Sequence, residues 1–128
     1  MSYVYDTNIF IYHFKRFPEV GLFFHPLFFE NNQVLVSTVT RIELLSYPDL
    51  PASEEKEINE LLSFFTIVPI TPDIEDVTIQ LRRKYKLKLP DAIIGATALQ
   101  YSATLFTNNT KDFKHIHEIK IETPTRKK

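Results

Sequence analysis

Short apolar runs punctuate this chain at intervals, and longer stretches with apolar residues at helical spacing lie between them. Tyr3-Val4-Tyr5, Val34-Leu35-Val36, Thr66-Ile67-Val68-Pro69-Ile70 and Ala103-Thr104-Leu105-Phe106-Thr107 are continuous rather than alternating. That is how strands read when helices cover both faces of a parallel sheet. Gln33-Val34-Leu35-Val36-Ser37 is opened by the turn signal Asn31-Asn32, Pro69 points the third strand to an edge, and Glu118-Ile119-Lys120-Ile121 is a short last strand.

Helical patterns fill the gaps. Ile9 to Phe14 continue from the first strand, with Lys15-Arg16 suiting the negative end of the helix dipole and Pro18 stopping the helix. Val39 to about Tyr47 form a helix that Ser37 or Thr38 can cap. Ala52 to Phe65 place Glu54, Glu55 and Glu57 outward and Ile58, Leu61, Leu62 and Phe65 inward. Thr71-Pro72-Asp73 is a cap followed by proline at the first helical position, opening a helix to about Tyr85, and Pro90 opens another. Strand and helix thus alternate throughout, which predicts an α/β fold with a mainly parallel sheet of four to five strands between helical layers. The length of 128 residues fits a single domain, with Thr123 to Lys128 as a basic, frayed tail.

Glu19 to Glu30 break the regularity. Leu22, Phe23, Phe24, Leu27, Phe28 and Phe29 exceed what one face can bury, and Pro26 interrupts any continuous helix. The segment is either clamped into the core or a docking surface for a partner protein.

Composition removes several chemistries. With no Cys there are no disulfides, thiolate nucleophiles or Cys zinc sites, and His115 and His117 lack helical zinc spacing. Glycine occurs only at 21 and 95, so Gly-rich phosphate loops of the Rossmann or Walker kind are absent. A net charge of −1 predicts no general attraction to nucleic acid, so any such binding rests on a local patch. Arg82-Arg83-Lys84 with Lys86 and Lys88 is that patch, although cations at a helix end are also ordinary dipole partners. No apolar segment approaches the roughly 20 residues of a membrane span and no secretory leader is evident, so a cytosolic protein is expected.

The acids carry the candidate chemistry. Asp6-Thr7-Asn8 follow the first strand directly, and Asp6 either caps the next helix or holds a hard cation. At about 100° per residue, Glu43 projects near Val39 and Ser46 rather than among solvent-facing positions, so it needs a partner, and an ion pair with Arg41 or another basic residue is the plainer account. Asp91 shares a face with Ile94, Gly95, Ala98 and Leu99 on a helix of small residues, where an unpaired carboxylate would be costly. Thr107 to Asp112 form another loop of acids and amides at a strand end. In a parallel sheet these four places fall on one rim, and clustered oxygen ligands without His or Cys select Mg²⁺ or Mn²⁺ over zinc.

Asp6-Thr7-Asn8, Arg41-Ile42-Glu43, Leu89-Pro90-Asp91-Ala92-Ile93-Ile94-Gly95-Ala96-Thr97-Ala98 and Thr107-Asn108-Asn109-Thr110-Lys111-Asp112-Phe113, in this order and spacing, closely resemble PIN domains of the VapC toxin type. The resemblance spans nearly the whole chain. It implies a three-layer α/β/α sandwich and a Mg²⁺- or Mn²⁺-dependent ribonuclease, usually the toxin of a toxin–antitoxin pair. Such a toxin is dimeric, inhibited by a small antitoxin, and meets DNA only through that antitoxin.

By position, Asp6, Glu43 and Asp91 match the family's metal-binding acids, with Thr7, Asn8 and Thr107 in support. Many relatives carry an Asp where this chain has Asn109, so the fourth ligand is either Asn109, counted with the supporting residues, or Asp112 three residues later. The implied reaction is in-line attack of water on phosphorus, leaving 5′-phosphate and 3′-hydroxyl ends, with Arg82, Arg83, Lys86 and Lys88 steering the RNA backbone. A catalytically silent PIN-like module binding RNA or protein is the alternative that Asn109 favours. A receiver-type phosphoacceptor domain would need a paired acid beside the first strand and a Lys closing the last core strand, and neither is supplied cleanly.

Overall fold

The computed structural model describes residues 1–124; residues 125–128 of the expected basic tail lie outside the described residues. Five strands, β1 (Ser2–Tyr5), β2 (Gln33–Ser37), β3 (Thr66–Val68), β4 (Thr104–Phe106) and β5 (Ile121–Glu122), form one sheet in the order β3-β2-β1-β4-β5. All four pairings are parallel, and Val4 of β1 sits level with Leu35 of β2 and Leu105 of β4.

The strands are connected by α1 (Thr7–Phe14), a 3-10 helix (Pro18–Phe24), α2 (Pro26–Asn31), α3 (Thr38–Leu45), α4 (Ala52–Leu62), α5 (Pro72–Lys84), α6 (Leu89–Gln100) and α7 (Thr110–Phe113). Alternate strand residues feed opposite cores. Val4, Leu35, Val68 and Leu105 pack with Ile74 and Leu81 of α5 and with Ile94 and Ala98 of α6. Tyr3, Tyr5, Val34, Val36 and Phe106 pack with Ile9 and Phe10 of α1, Leu44 of α3, and Ile58 and Leu62 of α4. A sheet buried on both faces explains why its strands are apolar without interruption, and the result is the expected α/β/α sandwich.

The Phe-rich segment resolves into the 3-10 helix and α2, broken at Pro26. Its rings turn inward. Phe23 stacks on Phe106 at 4.0 Å, Phe24 meets Tyr5 edge-on at 5.4 Å and Phe28 leans on Tyr3 at 5.2 Å. The buried Tyr5 hydroxyl donates to the Phe23 carbonyl at 2.5 Å, tying this segment to the central strand. Core packing therefore accounts for the rings, and Leu22 and Leu27 remain as the outward apolar residues.

Three expectations shift. α1 ends at Phe14, four residues before Pro18, with Arg16 in the left-handed region at φ 61°, so Pro18 opens the next helix rather than closing this one. The last strand is Ile121–Glu122 rather than 118–121, because residues 116–119 form a turn in which the Ile119 N–H donates to the Ile116 carbonyl at 3.1 Å. The loop after β4 contains α7, a single turn too short to show periodicity. Among the described residues no helix is long and apolar enough to cross a membrane.

Candidate active site

The strand order reverses direction at β1: the chain moves to β2 and β3 on one side, then to β4 and β5 on the other. Such a switch point opens a crevice at the carboxyl ends of the strands. Asp6 stands in it, 4% exposed, directly after β1. Its Oδ2 accepts from the Thr107 hydroxyl across the crevice at 2.7 Å and from Asn8 Nδ2 at 3.3 Å, while Oδ1 accepts from the Thr7 N–H at 2.7 Å. Asp6 thus caps α1 and also faces the crevice, so the two readings of this residue coexist.

Burial pushes the Asp6 carboxyl above its ordinary range. The bonds from Thr107 and Thr7 pull it down, the charge of Glu43 raises it again, and the Asn8 bond lowers it. Asp91, half-buried in the first turn of α6, is pushed up to about 6. Desolvation is the largest cause, followed by the charges of Asp6, Asp112 and Glu43, with Lys88 pulling the other way. Asp91 therefore feels acids from three other parts of the chain, and Asp6 feels Glu43.

Glu43 differs from its expected setting. It lies on the exposed side of α3, and its partner is the Thr7 hydroxyl, which donates to Oε1 at 2.6 Å, rather than Arg41. The wheel of an isolated helix gives no sign of α1 standing alongside. Thr40, fully buried on α3, lies 2.9 Å from the same Thr7 hydroxyl. A hydroxyl has one proton to give, so with Thr7 donating to Glu43, Thr40 donates to Thr7. Thr40 is a site residue that sequence reasoning missed; three residues before Glu43 on the same helix, it could have been found from spacing.

On the other side of Asp6, Thr107 is fully buried and also accepts from the Asn109 N–H at 2.9 Å. Asn8 Oδ1 accepts from the Asn108 N–H at 3.2 Å, which joins the loops after β1 and β4. Asn109 Nδ2 donates to Asp112 Oδ2 at 3.1 Å, so the amide and the acid considered for the fourth position are neighbours. Asn108 donates to the Tyr12 hydroxyl, a contact nothing in the sequence announced.

Among the described residues no three His, Asp or Glu side chains stand together as direct ligands of one ion. The donors offered are all oxygens, the set that suits Mg²⁺ or Mn²⁺, and Mg²⁺ is usually held by one or two carboxylates with waters completing its shell. The acids fit an ion held in that way rather than in a closed carboxylate cage.

The basic residues divide. Arg82, Lys86 and Lys88 line a shallow cavity of about 480 Å³ together with Tyr85 and Leu87, and the Arg82 Nε donates to the Leu87 carbonyl at 3.4 Å. Arg83 is exposed on α5 and is not among the lining residues.

A family model for the PIN domain matches residues 3–119. Ribonuclease VapC2 of Rickettsia felis is 30% identical over 132 residues, covering 95% of this chain and 97% of the relative. Among solved structures, a toxin-antitoxin complex from Klebsiella pneumoniae is 35% identical with a TM-score of 0.78, covering 97% of this chain and 98% of that one. VapBC2 from Rickettsia felis, bound to a DNA fragment from its promoter, is 25% identical with a TM-score of 0.84 and covers 96% and 98%.

Proposed function

The chain belongs to the PIN-domain family, and on that premise we propose that it is a VapC-type toxin, a cytoplasmic Mg²⁺- or Mn²⁺-dependent ribonuclease. The observation that carries this reading is the concentration of Asp6, Glu43, Asp91 and Asp112 at the switch-point crevice, where desolvation first and the charges of the other three acids after it push Asp91 up to about 6. Acids so arranged call for a cation, and a phosphodiester brings the opposite need, since its own negative charge requires neutralisation before it can approach.

Asp6 and Asp91, with Glu43 beside them, would hold the divalent ion. When bound, it lowers the pKa of water and offsets charge on the phosphate. The remaining work falls to the chain. Thr107, Thr7 and Asn8 fix both oxygens of Asp6, so that the carboxylate needs no reorganisation on binding. The Thr40–Thr7–Glu43 relay orients Glu43. Arg82, Lys86 and Lys88 form a positive approach for the RNA backbone to a pocket that would otherwise repel it, with Arg83 adding charge nearby. Water is the nucleophile and the 3′ oxygen leaves, so the products carry 5′-phosphate and 3′-hydroxyl ends and no 2′-hydroxyl is consumed.

Relatives of this chain occur in complexes with antitoxins, one of them on promoter DNA. We assign the same kind of small protein partner here, with DNA met through that partner and the toxin itself a homodimer. The groove of about 590 Å³ lined by Ile11, Phe14, Leu44, Leu50 and Ile58, with exposed Tyr47 at its edge, is the surface it would use.

Asn109 supports one competing reading, a module that binds RNA without cutting it. Incubating labelled single-stranded RNA with the purified chain and Mn²⁺, beside Asp6→Asn, separates the two. The ribonuclease reading expects cleavage that EDTA and Asp6→Asn each abolish; binding without cleavage would establish the silent module instead.

A further inference from the structure

The link between α5 and α6 sets basic side chains around an apolar anchor. Leu87 is 7% exposed and its N–H donates to the Tyr85 carbonyl at 3.1 Å, while its neighbours Lys86 and Lys88 stay exposed. The Leu87 carbonyl accepts from Arg82 Nε at 3.4 Å, so the guanidinium is tethered through one nitrogen and keeps its terminal nitrogens for a ligand. Arg82, Lys86 and Lys88 thus stand around the cavity of about 480 Å³ with no acid in its wall. The ion pairs among the described residues are Lys56–Glu60 and Lys84–Glu118, and neither takes one of these three cations.

The occupant such a recess suits is an anion. A metal ion would meet three like charges. A stacked base would need a free ring, and the Tyr85 ring carries the Lys84 ammonium 5.4 Å from its centroid, with its hydroxyl given to Glu118. A tethered guanidinium beside two ammonium groups matches a phosphate, whose oxygens accept a forked pair of N–H bonds. Lys88 also reaches the acidic crevice: it lies three residues before Asp91, and its charge opposes the acids around that carboxyl. A polymer with one negative charge per nucleotide can place one phosphate in the crevice and the next in the recess, whereas an acidic peptide has no such fixed repeat.

We propose that the recess is a subsite for one uncut phosphate adjoining the phosphodiester that is cleaved, held by Arg82 and Lys86, with Lys88 between the two. The inference rests on the ribonuclease reading and adds to it where the backbone is gripped, at one phosphate on one side of the cut rather than along a diffuse positive surface. Recognition at this point is of the backbone and is blind to base identity. A bond at a chain end that lacks the neighbouring phosphate is a poor substrate, so cleavage is internal on that side.

The test uses the full chain with Mn²⁺ and a short single-stranded RNA, chosen from a random pool because it is cut at a single bond. Copies carry one uncharged methylphosphonate at each uncut phosphate in turn, with a 2′-deoxy sugar on its 5′ side to prevent self-cleavage. The same deoxy sugar beside a normal phosphate is the reference. In wild type, one position beside the cut should raise KM about tenfold at little change in kcat, as the loss of a charge-assisted contact does, and the other positions should leave KM nearly unchanged. Lys86→Gln should raise KM on the reference RNA by a similar factor, after which the methylphosphonate at that position costs nothing further; Lys86→Arg should keep the wild-type pattern. Equal small penalties at every phosphate would reduce the cations to general steering and overturn the subsite, and so would a penalty at the one position that persists in full in Lys86→Gln. A polyglutamate peptide that competes with RNA through Lys86, with all phosphates equivalent, would give the recess to an acidic protein segment instead. Those outcomes defeat the subsite alone, whereas wild-type protein that cuts no RNA in the pool defeats the ribonuclease reading and the subsite with it.

Discussion

Replacing Asp91 with Asn should make the metal-free protein more stable, although it removes an acid from the candidate active site. In the folded chain the Asp91 carboxyl is pushed from 3.8 up to about 6 by desolvation and by Asp6, Asp112 and Glu43. An acid whose folded pKa is raised stabilises the protein only while protonated. The contribution of Asp91 is fully present below about pH 4 and is lost as pH rises through about 6.

At about 1.4 kcal/mol per pH unit, the rise corresponds to roughly 3 kcal/mol if nothing screened it. Asp91 is half-exposed, so water and salt cut the figure to about 1–1.5 kcal/mol. The favourable interaction of a charge with the first turn of α6, about 0.5 kcal/mol, is lost in the amide. A net gain of about 0.5–1 kcal/mol remains, or roughly 2–4 °C in Tm for a chain of this size. The assay is paired urea and thermal unfolding of wild type and Asp91→Asn in EDTA at pH 7.5 and pH 4. The variant should be more stable at pH 7.5, the gap should close at pH 4, and Mg²⁺ at pH 7.5 should stabilise wild type more than the variant. A variant less stable than wild type at pH 7.5, or a gap independent of pH, would refute the electrostatic reasoning.

Other outcomes follow from the same geometry. Thr107→Val removes the hydroxyl that holds Asp6 and should cut the RNA cleavage rate by about 10- to 100-fold, whereas Thr107→Ser should keep most of it; equal losses in the two would deny the hydroxyl a role. Replacing Lys86 and Lys88 together with Gln should flatten the slope of log affinity for RNA against log salt by about 1 to 2, and an unchanged slope would return these lysines to plain helix-end electrostatics. Tyr5→Phe leaves the Phe23 carbonyl without its buried donor and should cost about 1–2 kcal/mol in urea unfolding; a neutral result would mean the carbonyl finds water.

The sandwich was legible because burial on both faces writes itself into uninterrupted apolar runs. β2 occupies the residues expected of it, and Thr71 caps α5 as the Thr-Pro pair announced. What the pattern could not carry were features decided between elements. Glu43 depends on Thr7 reaching across from α1, β5 starts later because 116–119 is a turn, and α7 is too short to leave a period. The ring packing of Phe23, Phe24 and Phe28 likewise depends on aromatic neighbours on β1 and β4. At the site, Asp6 and Asp91 were visible as acids in places where acids are costly. Thr40 and Tyr12 act through hydroxyls that look like ordinary helix residues until the partner helix or loop is beside them.

The central claim is that acids distant in sequence make one site for a divalent ion, and Mn²⁺ reports on that directly because its paramagnetism broadens nearby NMR signals. Titrating Mn²⁺ into the labelled wild-type chain should broaden the resonances of Asp6, Glu43, Asp91 and Asp112 together, at concentrations well below those that affect the exposed acids Glu54 and Glu55 of α4, and Asp6→Asn should weaken the effect. Broadening of all acids alike, or of the four at separate concentrations, would contradict it.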